Sequence, residues 1–130
     1  MNPEAEIVTV RPNETVDTIQ KIPNYLGISR ETAGAKGLSM NMVAIPPLAE
    51  SEPHVHKGYE TAIYVIKGKV ETRYGEKLEK SVINVSGDFV FVPAGLPHQS
   101  VNLSETETAL AIVARNDPAE QESVETYSVD

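Results

Sequence analysis

The chain has no cysteine, no tryptophan, only two phenylalanines and only three histidines in 130 residues. Without cysteine there can be no disulfide framework, no thiolate metal site and no thiol nucleophile. No run approaches the ~20 apolar residues of a membrane span. The start, Met1-Asn2-Pro3-Glu4-Ala5-Glu6, lacks the basic residues and apolar stretch of a secretion signal. The expectation is a soluble cytoplasmic protein with no membrane partner. Basic residues are also scarce, and the formal charge is -8. Five of the acids, Asp117, Glu120, Glu122, Glu125 and Asp130, follow the last basic residue, Arg115, so the body of the chain is only mildly acidic. No cluster of Lys or Arg offers the electrostatic footprint of a nucleic-acid binder, and nucleic acid is not an expected partner.

What is present is a series of short apolar runs punctuated by Gly, Pro and Asn, the pattern of a single all-β domain. The strands expected from it are Glu6 to Val10, Leu38 to Ile45, Ala62 to Ile66, Lys69 to Tyr74, Lys80 to Val85, Phe89 to Val92, Gln99 to Asn102 and Ala109 to Ala114. Gly68 and Gly75 fall between strand candidates and read as hairpin turns. The segment 12–37 reads as irregular, which divides the chain into an N-terminal strand and arm (1–37), a barrel (38–114) and an acidic tail (115–130). Asp117-Pro118-Ala119-Glu120 has the arrangement of a helix cap, so the tail is expected to open with a short helix.

The histidines fall as His54, Val55, His56 and, far downstream, His98, with Glu60 after the first pair. In a strand, residues two apart share a face, so His54 and His56 can present both imidazoles to one point. Glu60 follows across a turn containing Gly58, and His98 follows the tight Pro93-Ala94-Gly95-Leu96-Pro97 turn. Three neutral imidazoles and one carboxylate suit a divalent first-row metal with open positions for water or substrate. A lone His-x-His is common in exposed strands, so the weight rests on the wider pattern.

That pattern resembles the two motifs of the cupin superfamily. The first runs Gly, five residues, His-x-His, three or four residues, Glu, about six residues, Gly. His54, His56 and Glu60 match it, Gly68 closes it after seven residues, and Leu48 stands where the opening Gly belongs. The second runs Gly, five residues, Pro-x-Gly, two residues, His, three residues, Asn, and Gly87, Pro93, Gly95, His98 and Asn102 match it throughout. The resemblance covers roughly residues 38 to 114. It implies a double-stranded β-helix, or jelly-roll barrel, that is usually dimeric. It also implies His54, His56, Glu60 and His98 as metal ligands, with Gly95 and Asn102 structural.

Strand parity then places Ala62, Tyr64 and Ile66 on the face of Glu60, toward the cavity, and Thr61, Ile63 and Val65 outward. Ser100 shares the face of His98. On the preceding strand either Met40 and Met42 or Asn41 and Val43 face inward, and the methionines are favoured. The expected pocket is therefore Met40, Met42, Tyr64 and Ser100, with Tyr64 the candidate catalytic residue. Both faces of the strand from Ala62 to Ile66 are apolar, and a second subunit is the natural cover, making a homodimer. The resulting functional expectation is a metal-dependent enzyme acting on a small organic molecule by oxygenase, isomerase or lyase chemistry. The alternative is a non-catalytic cupin that binds or senses such a molecule. The ligand types accept iron, manganese, nickel, copper or zinc.

Overall fold

The computed structural model describes residues 5–13, 15, 21–119 and 124–129. Among these, the elements in chain order are β1 (Asn24–Ile28), α1 (Arg30–Ala33), β2 (Ser39–Ile45), β3 (His54–His56), β4 (Thr61–Lys67), β5 (Lys69–Tyr74), β6 (Lys80–Val85), β7 (Phe89–Val92), β8 (His98–Asn102), β9 (Ala109–Arg115) and β10 (Val124–Thr126). They form two five-stranded sheets, ordered β1-β2-β9-β4-β7 and β10-β3-β8-β5-β6, with antiparallel pairing. This is the jelly-roll arrangement, in which the apolar sides of two sheets face each other. Among the described residues no helix is long and apolar enough to cross a membrane.

Alternation within the strands decides which side chains line the interior. In β9, Ala109, Ala111, Val113 and Arg115 are buried, and the residues between them are partly exposed. Register carries that parity across the sheet, because Arg115 lies opposite both Ser39 of β2 and Thr61 of β4, and Val113 lies opposite Asn41 and Ile63. The interior rows are therefore Ser39-Arg115-Thr61 and Asn41-Val113-Ile63. The outer rows are Met40-Ala114-Ala62-Phe91 and Met42-Ile112-Tyr64-Phe89. Both parity expectations are thus reversed: β2 turns Asn41 and Val43 inward, and β4 turns Thr61, Ile63 and Val65 inward.

Gly68 is a corner, not a hairpin. The strands it joins, β4 and β5, belong to different sheets. Its φ of 98° and the Ala109 Cα lying 3.0 Å from where a Cβ would stand leave room only for glycine. Gly75 does open a hairpin, β5 to β6, with Tyr74 opposite Lys80. Residues 6–10, expected as a strand, carry no regular structure and are largely exposed, Ile7 almost completely. The segment expected to be irregular instead supplies β1, which pairs with β2, and α1 with a Ser29–Thr32 capping box. In the tail, β10 pairs with β3. Asp117 accepts the Ala119 N–H in a local turn, so Pro118 and Ala119, where the helix was expected to begin, form a bend, and its continuation from Glu120 lies outside the described residues.

The second motif acts structurally as expected. The Asn102 amide is buried and donates to the carbonyls of Ile45, Pro46 and Glu107, tying three segments at one end of the barrel. Nearby, Ile22, Ile45, Val70 and Ala109 pack as the apolar core.

Candidate metal centre

The histidines meet because β3 pairs with β8. His54 lies directly opposite His98, and His56 is two residues along the same strand. The Gly95 N–H donates to the His56 carbonyl at 2.9 Å, fixing the turn before His98 against β3. All three rings are buried, with centroids 4.3 to 5.0 Å apart. One ring nitrogen of each lies within 4.8 Å of the other two.

Their hydrogen bonds settle which nitrogens are available. The His54 Nδ1–H donates to the Glu52 carbonyl at 2.7 Å, and the His98 Nδ1–H to the Leu96 carbonyl at 2.9 Å. A carbonyl only accepts, so both rings carry their proton on Nδ1 and keep a lone pair on Nε2. His56 Nδ1 meets the Tyr59 hydroxyl at 2.6 Å. With Nε2 of His56 on a metal, Nδ1–H donates and the phenolic oxygen accepts, the usual support for a ligating imidazole.

Electrostatics keeps the rings neutral. Burial, with His98 and Arg115 adding to it against the Glu52 hydrogen bond, pushes His54 down to about 3. Burial, then the charge of Arg115 and the neighbouring histidines, pushes His56 down to about 2. His98 is lowered chiefly by burial. Burial also raises the Tyr59 hydroxyl to about 12, Asp117 adding and Arg115 opposing, so the phenol stays protonated near neutrality. A cluster of neutral imidazoles with free lone pairs is the form that binds a metal ion.

Glu60 does not join this group. Tyr59, buried against His56, takes the inward position, so Glu60 turns outward into solvent and Thr61 turns inward. The Glu60 N–H is held by the Asn116 side chain at 2.8 Å. Leaving the motif's six residues before Gly68 puts its acidic position at Thr61. The extra residue between Glu60 and Gly68 was the one sequence signal of this shift. Of the expected pocket residues, Ser100 lines the cavity. Tyr64 stacks on Phe89 outside the barrel, ring centroids 4.8 Å apart, and is no candidate for catalysis at the histidines. Met40 is exposed on the same outer face, Met42 shares it, and Asn41 and Val43 take the inward places.

The cavity holds about 70 Å³. Its walls are mostly valine, isoleucine and alanine, with Ser51, Thr61, Thr72, Asn84, Ser100, Arg115 and the three histidines as polar groups, and no aspartate or glutamate among the described residues. Sequence reasoning missed Arg115 and Thr61. Arg115 read as the last basic residue before an acidic tail, although it keeps the parity of Ala109, Ala111 and Val113.

A sequence profile of the cupin domain matches residues 41–114. The chain belongs to the cupin family. This cupin is 38% identical over 86 residues to a germin-like protein, subfamily T member 3, of Arabidopsis thaliana, a stretch covering 62% of this chain and 37% of the plant protein. The chain thus spans little more than a third of that relative. Among solved structures, the polyketide cyclase RemF from Streptomyces resistomycificus is similar with a TM-score of 0.69 and 21% identity, over 93% of this chain and 78% of that one. An oxalate decarboxylase from Bacillus subtilis is similar with a TM-score of 0.76 and 18% identity, over 97% of this chain and 34% of that one. At such identities the likeness establishes the fold and leaves the chemistry to be argued from the site.

Proposed function

We propose that this cupin is a metal-dependent enzyme acting on a small organic molecule, with His54, His56 and His98 holding one divalent metal. The observation that carries the reading is the convergence of three buried, neutral imidazoles, two of them with Nδ1 committed to backbone carbonyls, at the wall of a small cavity. Three protein ligands leave coordination positions open, and a metal bound there would supply Lewis acidity and a site for substrate oxygen. The donor set accepts iron, manganese, nickel, copper or zinc. With every histidine committed and Tyr59 held against His56 outside the cavity lining, proton transfer falls to substrate groups or to water. A cytoplasmic setting accords with a chain free of cysteine. A second copy is the partner that best covers the outer face of Met40, Tyr64, Phe89 and Phe91.

The test is metal analysis of the purified chain by mass spectrometry beside His98→Ala, followed by oxygen consumption and turnover of small acids, phenols and sugars. One metal per chain, lost in the variant together with turnover, is expected. Metal retained in full by His98→Ala would sink the three-histidine centre, and metal binding without any turnover would favour a sensing role.

A further inference from the structure

Among the described residues, Arg115 is the only charged side chain lining the cavity, since the histidines there are neutral. It is 6% exposed, and its Nε and Nη1 are buried without a hydrogen-bond partner. Beside it in the same cross-strand row, Thr61 is 3% exposed with Oγ1 likewise unpartnered. Buried polar atoms are nearly always satisfied in native proteins, and a guanidinium left with idle donors is among the costliest exceptions. Here two neighbours, both able to donate, leave that capacity unused at the wall of the same cavity as the histidines. The Arg115 charge is felt at all three rings, which places it beside them.

The charge balance points the same way. Burial disfavours the charged guanidinium, and Tyr59 and Asp117, which oppose that effect, do not line the cavity. Glu60, whose carboxylate would have offset a metal ion, faces solvent. A divalent ion on three neutral imidazoles would therefore share the cavity with a guanidinium and with no protein anion. We propose that Arg115 and Thr61 form the binding subsite for a carboxylate group of a small organic anion, seated beside the three-histidine centre. The ligand supplies the negative charge that the protein omits, and the idle N–H and O–H groups donate to its oxygens. The cavity volume corresponds to roughly five water-sized volumes, so the anion has only a handful of heavy atoms. The subsite rests on reading this cavity as the ligand site of a metal-dependent cupin.

The test uses the full chain, metal-free and metal-loaded, titrated with acetate, glycolate and pyruvate, and with the uncharged acetamide and ethylene glycol, followed by NMR or calorimetry. The carboxylates are expected to bind and the uncharged compounds to fail. Arg115→Gln should weaken carboxylate binding roughly 10- to 100-fold, the range for losing hydrogen bonds to a charged group, with metal content unchanged. Should Arg115→Gln fail to fold, Thr61→Val carries the test. It is nearly isosteric and deletes a hydroxyl without a partner, so it keeps or raises the melting temperature while weakening carboxylates several-fold and leaving uncharged compounds unaffected. Equal binding of acetate and acetamide, or carboxylate affinity unmoved in both variants, overturns the subsite. Full metal loading without carboxylate preference sinks the subsite alone. Carboxylate binding that needs Arg115 in a chain taking up no metal sinks the metal centre and leaves the subsite standing.

Discussion

His54 and His56 illustrate how one side chain's surroundings set the behaviour of a whole protein with acid. Their folded-state values, about 3 and about 2, lie below the ordinary 6.5 of the unfolded chain. As the pH falls below about 6.5, the unfolded chain takes up protons that the folded chain refuses. The metal-free protein is therefore expected to keep its full histidine-linked stability above that pH and to lose it progressively down to about pH 3. Each histidine contributes a slope of roughly 1.4 kcal/mol per pH unit. Denaturant melts of the metal-free chain at pH 7, 6 and 5 measure this. The double variant His54→Asn, His56→Gln should show a flatter dependence over that interval, and an unchanged slope would contradict neutral buried imidazoles.

At the scale of elements, Leu48 marks a place where the sequence departs from its own turn. It stands where the first motif opens with glycine, and its φ is 58°, in the left-handed region that a branched side chain resists. The residue is exposed, so its side chain returns little by packing. Leu48→Gly is expected to stabilise the chain by about 0.5–1 kcal/mol, the strain relieved exceeding the entropy added to the unfolded state. Chemical denaturation with an unchanged m-value checks it. Strands β5, β6 and β7 were legible from sequence to the residue, because their branched runs are bounded by glycine turns and a corner. The histidine trio was legible because strand spacing and the Pro-x-Gly turn are local signals. The direction of β4 was not. Glu60 and Thr61 are adjacent, both fit the motif's permitted spacing, and the choice depends on Tyr59 filling the space beside His56, a tertiary contact. One residue of register moves every side chain to the other face, so the same misreading displaced Tyr64. β1 and β10 escaped notice because they are short and edge-placed, held by pairing with β2 and β3.

For the whole molecule, the outer face of the first sheet carries the proposed dimer interface. Phe89 and Phe91 are 83% and 60% exposed, and Tyr64, Ile66 and Met40 extend the apolar surface across three strands. Exposed apolar area on this scale is what subunit interfaces consume. Sedimentation velocity is expected to show a dimer, and Phe91→Glu a monomer with unaltered circular dichroism, since Phe91 contributes little to the fold of one chain. A monomer in the unmodified protein at micromolar concentration would exclude this interface.

The pairing of His54 with His98 also has a kinetic consequence. The two strands that bring them together, β3 and β8, are far apart in sequence, as are β2 and β9, so the chain must close large loops before any of these pairings is rewarded. An ion cannot gather the three nitrogens early, because they do not exist as a site until the sheets have formed. An ion bound there would be no template for folding but a clasp fastened afterwards. Its effect would fall on the rate at which the finished barrel comes apart rather than on the rate at which it is made.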